Sequence, residues 1–205
     1  EQTLPPEEVG PLLTRSLKVN GYQPASAPDH PPSLLVIYFW GTHNAIIADS
    51  PDQTTFRQVF NNVIDRATLV GGRKFSDEVT GLVQQVEDLR EAHREDLIPT
   101  AIGSFRRRKV NNDQLLNLTL GDVFYVVASA FDYPSVAKGQ PVLLWRTHMS
   151  VMAQGVQMKK AVPAVVASAG QYFGREMAEP AVIHHSATPE GKVDVGKPTV
   201  VGEGK

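Results

Sequence analysis

The sequence predicts a mixed α/β (α+β) domain, a layered sandwich in which helices pack on a central mixed or antiparallel sheet. Three observations predict it. Two stretches, Leu34–Trp40 and Val123–Phe131, are apolar at nearly every position and rich in β-branched and aromatic residues. That is the pattern of interior strands covered on both faces. Segments with apolar residues at helical spacing supply the covering layers. Only nine residues, Tyr133 to Pro141, separate the second stretch from the next extended run. A crossover helix does not fit there, so residues 123–153 read as an antiparallel hairpin.

The elements follow in order. Prolines and the acidic pair Glu7 and Glu8 open a first helix, with Val9, Leu12, Leu13, Ser16 and Leu17 on one face, and Asn20-Gly21 stops it. A proline-rich link, "QPASAPDHPP", leads into the strand at Leu34. Ser50-Pro51-Asp52 resembles a helix start. The helix after it carries Phe56, Val59, Phe60, Val63, Ile64 and Ala67 on one face, and Gly71-Gly72 ends it. A third helix starts near Ser76, with Val79, Leu82, Val83, Val86 and Leu89 as its stripe, and Pro99 is expected to end it. "TAIGSFRRRKVNND" reads as an irregular loop and "DQLLNLTL" as one or two helical turns.

In the hairpin, Trp145, Thr147, Met149, Val151 and Ala153 share one face and Arg146, His148 and Ser150 the other, so one face is buried and one partly wet. A fourth helix is expected from Val162 to Phe173, with Pro163 in its first turn and Gly174 as its cap. A strand is expected at Ala181–His185, then a small hairpin over Pro189-Glu190-Gly191. The whole chain, 1–205, reads as a single α/β domain with a flexible tail at 196–205.

Composition excludes several classes. Twenty Lys and Arg against 22 Asp and Glu give a net charge of −2, without the basic excess of a general nucleic-acid binder. With no cysteine, thiolate catalysis, disulfides, Cys-ligated zinc and iron–sulfur clusters are ruled out. No apolar run reaches the length of a transmembrane segment; the longest, Leu34–Trp40, has seven residues. The first residue is Glu1 rather than Met, and the expectation is a removed N-terminal piece, a secretory leader being one candidate.

Four polar residues beside the apolar ladders are candidate ligand-binding groups: His43, Asp132, Arg146 and His148. A histidine with a carboxylate is the minimum for general-base chemistry. The simpler reading places Asp132, Arg146 and His148 at strand ends or on the wet face as cross-strand pairs. No G-x-S-x-G turn supplies a nucleophile, and no residue is assigned a catalytic role. His43, Asp49 and Asp52 follow a strand end, where ligands of α/β sheets bind, yet they lack metal-ligand spacing. His184 and His185 would point to opposite faces of a strand. No metal site and no cofactor is expected. Gly71-Gly72-Arg73-Lys74 lacks the phosphate-loop spacing, and Arg106-Arg107-Arg108-Lys109 reads as a solvated basic run.

Three pieces, "LLTRSLKVNGYQPASAP", "SLLVIYFWG" and "DYPSVAKGQPVLLWRTHMSV", together resemble bacterial exported, lipoprotein-like envelope domains of unknown function. The resemblance covers about half of the chain and carries no site residues. It implies an α/β sandwich, a periplasmic or exported location, and a lipid anchor upstream of Glu1. The function expected from all this is a non-enzymatic envelope domain that binds a protein partner or aids assembly. Two alternatives stay open: a small-molecule hydrolase with a site near His43, Asp132 and His148, and a ligand-binding module with an aromatic pocket.

Overall fold

The fold is described from a computed structural model over residues 4–26, 28–46 and 53–183. Helix α1, Pro6–Val19, has proline in its first turn, where an amide hydrogen would go unused, and Glu7 and Glu8 at its positive end. Asn20 caps it and Gly21, at φ 88°, turns the chain away. Strand β1, Leu34–His43, follows the proline-rich link.

Helix α2, Gln53–Glu91, is broken at Gly72, whose φ of 71° and ψ of −172° lie outside helical space. A residue with a Cβ adopts that φ only at a cost. The two arms, 53–71 and 73–91, are the two helices that Gly71-Gly72 separates in the sequence. Ser50-Pro51-Asp52 lies outside the described residues.

Helices α3, Ile98–Arg108, and α4, Asn112–Leu120, come next. The loop expected after Pro99 is therefore a helix. Proline at the first turn opens a helix as readily as it stops one, and Ile98, Ala101, Ile102 and Phe105 hold helical spacing. The basic run falls in the last turn of α3, where cations meet the negative end of the helix.

Strand β2, Val123–Asp132, passes through the short helix α5, Tyr133–Ala137, into β3, Leu143–Met152. Helix α6, Met158–Ala169, starts earlier than expected and carries Pro163 inside it. A 3-10 turn, Gly170–Tyr172, follows, and Gly174 has φ 71°. Residues 181–183 form no strand. His184, His185, the turn at Pro189 and the 196–205 tail lie outside the described residues.

The sheet has the order β1-β2-β3, antiparallel throughout. The 123–153 hairpin stands as expected, with a register shift at Ala130/Phe131. Helices pack on both faces. On one, α1 and α6 cover Phe124, Val126, Ala128 and Met149, with Trp40 and Trp145 at the margin. On the other, Val123 joins a second core built by α2, α3 and α4 around Phe75, Phe105 and Leu115. Each buried Val, Leu, Phe or Met among them stabilises the fold by roughly 1.5–3 kcal/mol. At Gly170 the 3-10 turn after α6 meets α1 so closely that a Cβ would clash with Ser16 Oγ.

Only one of the two strands read as interior is so. β2 is central, and Val126 and Ala130 are fully excluded from water. β1, residues 34–40 included, is an edge strand with no buried residue. Its Ile37 and Phe39 are each 49% exposed. Apolar composition reports that a strand packs against something. It does not report whether a further strand lies beyond it.

Candidate functional site

The strands place the four candidate residues apart. Asp132 pairs with Leu34 at one end of β1, while His43 sits at the other end opposite Val123. Nine residues of strand separate those ends, about 30 Å at the rise of an extended chain. His148 lies opposite Val127, midway along β2 on its other side. Asp132 serves the hairpin link: its Oδ2 accepts from the Ser135 amide at 2.8 Å, as the N-cap of α5. Arg146 pairs across the sheet, its Nε donating to Ser129 Oγ at 2.9 Å. His43, Asp132 and His148 therefore do not share one site.

His43 has a partner absent from the sequence reading. Arg66 on the first arm of α2 is 1% exposed. Its Nε donates to the Thr119 carbonyl at the end of α4, and Nη1 lies 3.1 Å from His43 Nδ1. A guanidinium only donates, so Nδ1 accepts and the ring proton sits on Nε2. Burial lowers the His43 pKa, the Arg66 charge lowers it further, and Asp65 opposes both. Burial also lowers the Arg66 pKa, which the Asp122 carboxylate partly restores. Asp122 in turn accepts from the Ala45 amide at 2.7 Å. The cluster ties α2, α4 and the end of β1 together, and its hydrogen bonds are those of a structural clasp.

His148 and Arg146 border a large opening beside the sheet. A cavity of about 790 Å³ runs beside β3, between α6 on one side and the Gly72 bend of α2 with α4 on the other. The segment 175–183 forms part of its wall, held by Lys74 Nζ donating to the Ala178 carbonyl at 3.2 Å and Asn111 Nδ2 to the Pro180 carbonyl at 3.1 Å. Much of the lining is aliphatic or aromatic. Two buried polar atoms at this cavity, His148 Nδ1 and Glu78 Oε2, have no hydrogen-bond partner among the described residues. A buried polar atom left unpaired costs about 1–3 kcal/mol, so both weigh against the stability of this wall. The other oxygen of Glu78 accepts from Lys109 at 2.7 Å.

No family model, curated protein or solved structure matches this chain. The site stands on its own geometry. Among the described residues no cluster of three His, Asp or Glu side chains is placed to hold a metal ion, and no helix is long and apolar enough to cross a membrane. Asp49, Asp52, His184 and His185 lie outside the described residues. Trp145 stacks on Phe173 at 5.5 Å, and Trp40 donates to the Leu4 carbonyl at 3.0 Å. Both tryptophans are packing groups of the first core.

Sequence reasoning missed Arg66 and the cavity. Arg66 did leave a signal, since Val59, Val63, Arg66 and Val70 fall on one helical stripe. A charge on an apolar stripe is a buried charge with partners to be found. The cavity left no local signal, because its walls come from segments far apart in the chain.

The two histidines make stability depend on pH. Burial, then the neighbouring Arg146, lowers the His148 pKa below 6.5, as burial and Arg66 do for His43. The folded state holds both rings neutral while the unfolded chain protonates them. Their contribution is intact above the unfolded value and is lost as pH falls through it toward the folded one. Urea midpoints are expected to drop between about pH 7.5 and pH 5.5, and His148→Leu is expected to flatten that drop. An equally steep drop in H148L would remove His148 from this account.

Proposed function

We propose that this chain is a non-enzymatic binding module and that the cavity beside β3 is where its partner is held. One observation carries the reading: an apolar groove of about 790 Å³ flanks the sheet, while the candidate residues His43, Asp132 and His148 stand apart along it. Grooves of this size and lining are the usual seats of ligands. A location in the bacterial envelope, or export from the cell, is part of the proposal and rests on the resemblance of the opening helix, the Leu34 strand and the Trp145 strand.

A fluorescent anionic dye of the anilinonaphthalene type tests the seat. Titration with the full chain is expected to saturate at one site. Ala164 lies on the α6 wall with its side chain exposed to the groove. Ala164→Trp should fill the space and abolish that binding while leaving the circular dichroism and melting transition in place. Dye binding unchanged in a folded A164W would place the seat elsewhere.

A further inference from the structure

We propose that the groove takes an extended polypeptide, which adds to the free edge of β3 as a fourth strand and carries acidic residues to the groove's cationic rim. This rests on the reading of the groove as the binding seat and names its ligand class.

The cavity wall contains every residue from Arg146 to Met152. Successive residues of a strand point to opposite faces, so a pocket over one face would meet every second side chain. Seven in a row place the opening along the strand's edge. β3 pairs with β2 alone. Among the described residues, nothing bonds to the backbone groups on its outer side. An edge of this kind presents N–H and C=O groups at the spacing of a β ladder, and another backbone matches that spacing. Seven residues span about 23 Å, the reach of a short extended segment.

The walls state what the segment's side chains would meet. One set would face α6, where Ala161, Ala164 and Val165 leave room for close approach. The alternate set would face Val70, Phe75 and Leu115. Both surfaces are apolar, so the segment is apolar at consecutive positions, as β2 is. Charge completes the description. Lys74, Lys109, Arg146, Lys160 and Arg175 border the groove against two carboxylates, Glu78 and Glu179. That excess of cations complements Asp or Glu flanking the apolar run.

A displayed library of random nonamers, panned on the full chain and counter-selected on A164W, tests this. Winners are expected to show an apolar run flanked by Asp or Glu, and Lys160→Glu should weaken them about tenfold. Synthetic winners with N-methyl groups on one alternating set of amides should lose about tenfold or more in affinity, and the other set should bind nearly as the parent does, because only one set faces β3. Equal losses for both sets would overturn strand addition. Winners without acidic residues, or insensitive to K160E, would overturn the electrostatic half. If no nonamer survives counter-selection while the dye still saturates the groove, the peptide class is wrong and the binding-module reading stands. If the dye fails as well, both fall.

Discussion

Replacing Arg66 with alanine is expected to destabilise the fold by about 3–5 kcal/mol, read from urea midpoints. The guanidinium is 1% exposed and is bonded to the Thr119 carbonyl and His43 Nδ1. Alanine leaves the carbonyl at the end of α4 unpaired and an opening where three elements meet. Against a total stability of about 5–15 kcal/mol for a domain of this kind, that loss leaves a chain near its unfolding threshold at physiological temperature. Arg66→Lys restores little, because an ammonium on a flexible stem does not reproduce two bonds set by a planar fork. A loss under about 1 kcal/mol in R66A would mean that the guanidinium is solvated rather than clasped.

Phe105→Ala is expected to cost about 3–5 kcal/mol by creating a cavity in the second core. Phe105 is 2% exposed, and its ring sits 6.3 Å from that of Phe75. Its carbonyl accepts from Asn112 Nδ2 at 2.9 Å, which joins α3 to α4. The substitution removes the ring and keeps the backbone bond, so the denaturant slope should be unchanged and the midpoint lower. Val110→Ala, one turn of chain away and 95% exposed, is the matched control and should change stability by less than about 0.5 kcal/mol. Equal effects from the two would contradict the placement of α3 against α2 and α4.

Much of the architecture was legible because it follows from local chemistry. The runs at Leu34 and Val123 are strands, the short link at Tyr133 sets the Val123 strand antiparallel to the one carrying Trp145, and Gly72 breaks a helical pattern where φ turns positive. Pro99 shows the limit of local rules, since proline serves the first turn of a helix and the end of one equally. β1 shows a second limit. Its seven apolar residues match those of an interior strand, and only the sheet order exposes Ile37 and Phe39. The candidate residues were legible as polar groups beside ladders, and their roles were not. Asp132 is a cap, Arg146 a cross-strand partner, and His43 an acceptor for an arginine 23 positions away. The groove depends on how α6, the bend of α2 and residues 175–183 are arranged around β3, which no single stretch of sequence encodes.

The central claim is that β3 keeps an open outer edge inside an apolar groove. Residue-resolved amide hydrogen exchange on the unliganded chain reads this directly. Exchange is expected to alternate along residues 143–152, slow for amides bonded to β2 and fast for those facing the groove. Slow exchange at every position of β3, with its outer amides as protected as those of β2, would contradict it.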